Sequence, residues 1–310
     1  MSILIFGSIN VDYVMQVERI SRPGETNKAH EIKRFFGGKG ANQATAAARA
    51  SSGIAVLIAG AIGDDEVATG VKQNFVNNGV NVDLIQHVNA PTGTAYIFVD
   101  PDAENAITIV AGSNDCVDEG LLPDRLLSEV SYLVLQMEVP LDQMLKLAKR
   151  YKKINLNGKI LFNVAPVPTI KQKLATLELL DISDYLVVNE HEAAAVLNLI
   201  DSKSTATDME TARILSDKFD IISIITLGKK GAITATNNNI ILSPAFEIAA
   251  IDTTGAGDTF VGVLATKLAE GEALDKALKF ACKAGALACL KMGAQEAMPT
   301  AEELILNESD

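Results

Sequence analysis

The stretch Asp252-Thr253-Thr254-Gly255-Ala256-Gly257-Asp258-Thr259-Phe260 sets a carboxylate directly after three small residues. Where a strand end passes into a helix, such residues leave consecutive backbone N–H groups exposed at the positive end of the helix dipole, a place suited to an anion. An acid there needs a reason. Either Asp258 caps the helix, a common task for Asp, or it is the base for an attacking hydroxyl, beside an oxyanion-type hole formed by Gly255, Ala256 and Gly257. An alcohol is a far weaker acid than Asp, so the proton leaves only as the bond to phosphorus forms, and placement matters more than a shifted pKa. These residues by themselves leave both readings open.

A second stretch, Phe36-Gly37-Gly38-Lys39-Gly40-Ala41-Asn42-Gln43-Ala44, combines glycines for close approach with Lys39 and Asn42 as donors. It is not a Walker loop, because no Ser or Thr follows the lysine and the glycine spacing is wrong. A plain tight turn before a helix would look the same. In a third, Gly7-Ser8-Ile9-Asn10-Val11-Asp12, the side chains of Asn10 and Asp12 lie two apart and so share one face of an extended chain. An amide beside a carboxylate suits a polyhydroxylated ligand, or an Asx turn.

The elements that must carry these residues follow from apolar periodicity. Ile3 to Phe6 reads as a buried strand, followed by an exposed one ending near the Arg22-Pro23-Gly24-Glu25 turn. The glycines at 37, 38 and 40 open an alanine-rich helix over 41–50. A strand at 54–59 and a helix at 65–78 come next, stopped by Asn78-Gly79. The βα alternation is then interrupted by a hairpin pattern, 94–99 and 106–110, around a polar turn. With segments 12–20 and 28–36, the hairpin is expected to form a small antiparallel sheet, a lid over the main body. Alternation resumes with strands at 132–136, 159–163, 184–188 and 221–227, helices at 141–153, 190–199 and 208–218, short strands near 231–235 and 239–242, and helices at 257–269 and 273–290. Such units imply a mainly parallel sheet covered on both faces. The expected α/β organisation is a large Rossmann-like three-layer α/β/α unit over 1–11, 38–92 and 112–310, with a small β lid over 12–37 and 93–111.

Composition bounds the partners. A formal net charge of −12 over 310 residues argues against nucleic acid and against anionic membrane surfaces, since phosphate-rich partners need a basic face. The amino terminus lacks the charged and apolar regions of a signal peptide, and no run is long enough to span a membrane. Three cysteines, Cys116, Cys282 and Cys289, show no metal-site spacing and an odd count, which fits a reducing cytoplasm.

Taken in order, Gly-Ser-Ile-Asn-x-Asp, Gly-Gly-Lys-Gly-Ala-Asn-Gln-Ala and Asp-Thr-Thr-Gly-Ala-Gly-Asp-Thr-Phe resemble the ribokinase family of carbohydrate kinases, which includes adenosine kinase. The resemblance covers almost the whole chain. It implies a Rossmann-like domain with a β lid, Asp258 as catalytic base and Gly255, Ala256 and Gly257 as anion hole. It implies sugar contacts from Asn10, Asp12, the loop Gly38, Lys39, Gly40, Ala41 and Asn42, and Glu138. Asn189 and Glu192 match an element tied to Mg2+ and phosphate through water; without the resemblance they read as an acidic helix start. Thr226, Gly228 and Gly231 match the ATP-binding turn, and Cys282 falls near the adenine site, where a buried structural cysteine is an equal reading. Asp252 and the carbonyls of Thr254, Ala288, Lys291 and Gly293 match a monovalent-cation site, usually for K+. Ala297 stands where the family usually has Ser, which removes one hydroxyl ligand from that site.

The expected activity is transfer of the ATP γ-phosphoryl group to the primary hydroxyl of a pentose, with D-ribose favoured by the joint presence of Asn10, Asp12 and the fully matched glycine loop. Deoxyribose, another small sugar and a nucleoside are the rivals within the class. A catalytically silent sugar- or nucleotide-binding regulator is the rival outside it. A dinucleotide-binding oxidoreductase is disfavoured, because Gly7-Ser8-Ile9-Asn10 stands after the first strand where a Gly-x-Gly-x-x-Gly would be needed. Exposed lid strands suggest a homodimer formed through the lid.

Overall fold

A computed structural model of the chain describes residues 1–102 and 104–305. Ala103, in the turn of the expected hairpin, and residues 306–310, at the end of the expected large unit, lie outside the described residues. The chain runs β1 (Ser2–Phe6), β2 (Asn10–Val17), β3 (Ala29–Gly37), α1 (Lys39–Arg49), β4 (Ala55–Ala59), β5 (Ala61–Gly63), α2 (Ala68–Asn77), β6 (Val80–Asn81), β7 (Gln86–Val88), β8 (Gly93–Val99) and β9 (Asn105–Val110). It continues through α3 (Asp124–Glu129), β10 (Tyr132–Gln136), α4 (Leu141–Ile154), β11 (Lys159–Asn163), α5 (Lys173–Ile182), β12 (Tyr185–Asn189), α6 (Glu190–Ile200), α7 (Asp208–Phe219) and β13 (Ile222–Thr226). β14 (Ala232–Ala235), β15 (Ile240–Ser243), α8 (Ala256–Ala269) and α9 (Leu274–Ala288) complete it.

Nine strands form the main sheet in the order β15-β14-β13-β12-β11-β10-β1-β4-β6, parallel except for the antiparallel β14 and β15 at one edge. Its central strands are apolar on both faces because each face is covered. One core cluster gathers Phe6, Leu135, Phe162 and Val188 with Leu147 of α4 and Leu215 of α7, and the other gathers Ile5, Val134 and Leu161 with Ala44 of α1 and Leu264 of α8. This is the expected three-layer α/β/α architecture.

α1 and α8 lie close together because both present small residues. Gly262 is essential to that approach: a Cβ there would sit 2.4 Å from the Gln43 carbonyl oxygen and 2.8 Å from Ala46 Cβ. Gly262 is one turn beyond Asp258, so the contact carries Asp258 up against the first turn of α1.

The second sheet, β3-β2-β8-β9, departs from the expected antiparallel lid. β2 pairs with β3, and β8 with β9, antiparallel, but β2 and β8 are parallel, from Asn10↔Gly93 to Gln16↔Val99. Both strands leave the main body side by side and run outward together, and their hairpin partners return. β2 also starts at Asn10, two residues earlier than the lid boundary read from sequence.

Other local differences have similar causes. α2 begins at Ala68 because Asp65 is engaged elsewhere, accepting from the amide and hydroxyl of Thr92 at 2.7 and 2.9 Å. α3, α5 and the small β5–β7 sheet escaped the periodicity argument, α5 because it follows a proline-rich loop and a single 3-10 turn.

Candidate active site

Asp258 occupies the third position of α8 rather than its cap. The N-cap is Gly255, at φ 74°, and no side chain caps the helix, so the capping reading of Asp258 falls. The buried Asp258 side chain turns instead toward α1, where Asn42 Nδ2 donates to Oδ2 at 2.9 Å and Gln43 Nε2 donates to Oδ1 at 3.0 Å. Of the three small-residue amides before it, that of Ala256 donates to the Thr253 carbonyl at 3.3 Å. The amides opening a helix have no partner inside it, and a Cβ on Gly257 would meet nothing within 4 Å, so the backbone there faces open space.

That space is a cleft of about 150 Å³ lined by Lys39, Asn189, Glu192, Thr226, Gly255, Gly257 and Asp258, among others. A larger hollow of about 310 Å³ lies at the amino ends of β11 to β13, lined by Lys159, Asp184 and Asp220, away from these motifs. The smaller cleft lies beyond the carboxyl ends of the parallel strands, where α/β sheets bind ligands. Lys39 faces it among carboxylates: Asp258 above all, then Glu138 and Glu192, raise its pKa against the opposing effect of burial, which keeps the ammonium charged. Lys39 thus shares the cleft with Asn189, Glu192 and Thr226.

The other residues expected at the sugar gather near Asp258 from β2, the start of α1 and the loop after β10. Asn10 is buried at the start of β2, and its Oδ1 accepts from Asn114 Nδ2 at 2.7 Å. It is a strand residue, so the Asx-turn reading fails for it. Asp12 follows on the same face of β2, and its pKa is raised from 3.8 to about 7, chiefly by burial and further by repulsion from Glu138, Glu296 and Asp258. Glu138 Oε2 accepts from the Ser8 hydroxyl at 2.6 Å and from the Lys39 amide at 3.0 Å. Gly38 caps α1 at φ 91°, and Gly40 and Ala41 are buried behind it, with the Ala41 amide tied to the Ser8 carbonyl at 2.9 Å. Asn42 spends one N–H on Asp258, and its amide carries a second.

Asn189 and Glu192 form a reciprocal capping box on α6, each backbone amide donating to the other's side chain at 2.8 Å. Both the helix-start reading and the cleft position therefore hold, and one Glu192 oxygen is left over. Burial, first among its causes, raises the pKa of Glu192. Thr226 ends β13, and the turn after it closes through Leu227 N–H to the Gly231 carbonyl at 2.8 Å, with Gly228 and Gly231 both at positive φ. Cys282 is buried within the core cluster under α9, and burial pushes its thiol up to about 12. Its surroundings are those of a packing residue.

The expected cation loop is held by Asp252. Its Oδ1 accepts from the Thr254 amide and hydroxyl at 2.9 and 2.7 Å, and its Oδ2 accepts from the Gly293 amide at 2.9 Å. Burial pushes its pKa up, but these hydrogen bonds outweigh it and the net direction is down, so the carboxylate stays charged. Ala288 closes α9, where carbonyls lack helical partners. Ala297 is buried and Lys291 exposed, its ammonium 3.8 Å from Glu303.

Several residues of the site escaped sequence reasoning. Gln43 stood inside the glycine-loop motif without a role; Asn114, Asn163, Gln295 and Glu296 stood in none. Only Gln43 carried a signal, as a second amide beside Asn42.

Residues 1–301 match the pfkB family of carbohydrate kinases. The chain belongs to that family. The kinase is 33% identical over 308 residues to the ribokinase of Haemophilus influenzae, covering 98% of this chain and 97% of that one. Among solved structures it is similar to the ribokinase of Thermotoga maritima, at 34% identity and a TM-score of 0.89, covering 98% and 97% of the two chains. It is also similar to Arabidopsis thaliana ribokinase complexed with ribose and ATP, at 28% identity and a TM-score of 0.86, covering 98% and 97%. The kinase is thus a phosphotransferase with an alcohol group as acceptor, on the fold its sequence implied.

Proposed function

We propose that the protein transfers the γ-phosphoryl group of ATP to the primary hydroxyl of D-ribose, giving ribose 5-phosphate, with Asp258 as the base. The observation that carries this reading is the placement of a buried, doubly hydrogen-bonded carboxylate at the open end of α8, on the cleft lined by Lys39 and Glu192 and within electrostatic reach of Asp12. The names of the Haemophilus and Thermotoga relatives, and the ribose and ATP bound to the Arabidopsis protein, support ribose as the acceptor and ATP as the donor.

In this reading, Asn10, Asp12, Asn42 and Glu138 orient the sugar so that its terminal hydroxyl faces Asp258. Asp258 accepts the hydroxyl proton as the oxygen–phosphorus bond forms and the bond to the leaving ADP oxygen breaks. The amides at Gly255 to Gly257 and the Lys39 ammonium stabilise the charge on the phosphoryl oxygens, while Thr226, Gly228 and Gly231 border the nucleotide. A silent regulator would have no use for the oriented carboxylate.

Mg2+ would supply charge neutralisation on the phosphates. No cluster of three or more His, Cys, Asp or Glu side chains able to hold a metal occurs among the described residues, which fits an ion held mainly by phosphate and water, with Asn189 and Glu192 acting from the second layer. The charged Asp252 and the carbonyls of Thr254, Ala288, Lys291 and Gly293 form an oxygen donor set that suits K+, without a hydroxyl from Ala297.

The sheet at 12–37 and 93–111 is read as a lid that excludes water from the transfer. Its apolar side chains Ile32, Ile107, Ile109 and Val110, each at least 46% exposed, favour a homodimer through the lid. None of the three cysteines is in a disulfide, and no helix among the described residues is long and apolar enough to cross a membrane; both support a cytoplasmic enzyme.

The test is a substrate panel with the Asp258→Ala variant. The parent should phosphorylate ribose ahead of 2-deoxyribose, hexoses and nucleosides. The variant should lose turnover by at least about 10³-fold, with ATP affinity intact. A variant with full activity rejects the base, and a parent that prefers nucleosides rejects the acceptor.

A further inference from the structure

Two chains of amides converge on the Asp258 carboxylate. Along the first, Asn74 Nδ2 of α2 donates to Gln295 Oε1 at 2.7 Å, Gln295 Nε2 donates to Asn42 Oδ1 at 3.1 Å, and Asn42 Nδ2 donates to Asp258 Oδ2 at 2.9 Å. Along the second, Gln43 Nε2 donates both to Asp258 Oδ1 and to Asn163 Oδ1 at 3.0 Å, while Asn163 Nδ2 donates to the Val187 carbonyl at 2.9 Å. Four separate parts of the fold, α1, α2, β11 and the segment after α9, are linked to one side chain, which α1 alone touches directly.

An amide has one accepting end and one donating end, so fixing either fixes the other. Gln295 offers its oxygen to Asn74 and must offer its nitrogen to Asn42; Asn42 then has only its nitrogen to turn toward Asp258. Asn163 is likewise committed by its own donation to β12 and presents its oxygen to Gln43. Both chains therefore point donors at the carboxylate. Gln43 also leaves its Oε1 buried with no partner, an arrangement disfavoured unless the nitrogen is needed where it is. Asn42, Gln43, Asn163 and Gln295 are all buried.

We propose that Gln43 and the Asn74–Gln295–Asn42 relay are positioning residues that lock the rotation of the Asp258 carboxylate, leaving its free lone pairs directed at the acceptor hydroxyl. This rests on the reading of Asp258 as the base. A carboxylate held on one oxygen can turn about its terminal bond, which has broad torsional preferences. Held on both, it keeps one orientation, and orientation is what transfer from a weakly acidic alcohol depends on.

The experiment compares Gln43→Met, Gln295→Met and Gln295→Glu with the parent, reading kcat and KM for sugar and ATP together with calorimetric affinities for each. Gln43→Met should lower kcat by about 10²-fold and Gln295→Met by about tenfold, with both affinities within about threefold of the parent. Gln295→Glu keeps the shape and the acceptor for Asn74, and its kcat is read across pH: where ionised it cannot donate to Asn42 and should fall with Gln295→Met, and where protonated it can donate and should approach the parent. A kcat within about twofold of the parent in all three variants overturns the proposal, as does a loss that appears equally in the affinities. Should Gln43→Met fail to fold, the two Gln295 variants decide alone. An Asp258→Asn variant run in parallel separates the two ideas: if it retains turnover, the base reading fails, whereas an inactive Asp258→Asn beside fully active glutamine variants sinks the positioning role only.

Discussion

Ser8 donates its hydroxyl to Glu138 at 2.6 Å, tying the loop after β1 to the loop after β10 across 130 residues of chain. The same carboxylate oxygen receives the Lys39 amide, so one acidic side chain fixes the start of α1 as well.

Glu138→Ala should therefore do more than remove the proposed sugar contact. It leaves the buried Ser8 hydroxyl and the Lys39 amide without their acceptor, which should lower stability by about 1–3 kcal/mol and raise the sugar KM. Glu138→Gln keeps an acceptor and should lose clearly less of both. Urea unfolding midpoints at constant slope, read beside sugar KM, check the pair.

Asp12 predicts a pH dependence of stability. Its carboxyl is raised from 3.8 to about 7 in the folded protein. Below pH 3.8 both states hold the proton; between there and about 7 the unfolded chain ionises first, so the stability associated with this group falls as pH rises and levels off above about 7. Asp12→Asn abolishes the effect. The stability of the variant relative to the parent, measured without sugar, should therefore increase from pH 5 to pH 8, and a constant difference would contradict the raised pKa.

Gly262→Ala probes the contact of α1 with α8. The new Cβ would meet the Gln43 carbonyl at 2.4 Å, and backbone atoms cannot step aside as a side chain can. Overpacking of this kind should destabilise by about 1–3 kcal/mol, and because it parts Gln43 from Asp258, kcat should drop more than either KM. Thermal unfolding and steady-state kinetics test both effects.

The lid sheet offers a fourth test. Ile107 pairs with Ile97 and Ile109 with Ala95, so both isoleucines share the face that carries Asp12. Replacing both with Glu should convert a dimer to a folded monomer in light scattering, and a parent that is already monomeric rules out the interface.

The sequence was legible where a pattern is contiguous. Asp258 and its three small neighbours, the glycine loop, and Asn10 with Asp12 each lie within one short stretch, and the apolar runs of β1, β10, β11 and β12 mark buried parallel strands directly. It fell short where tertiary folding does the assembling. Asn114, Asn163 and Gln295 are single amides in unremarkable surroundings, and only the packing of distant elements gives them partners. The parallel pairing of β2 with β8 was equally hidden, since each strand also has a hairpin partner and period-two alternation does not record direction.

β2 begins with the buried Asn10 inside the main body and runs on as an interior strand of the outer sheet. The main body and the outer sheet are thus joined by one continuous strand, with Asp12 near its inner end. In the proposed reading, that continuity couples any movement of the outer sheet to the residues assigned to the sugar.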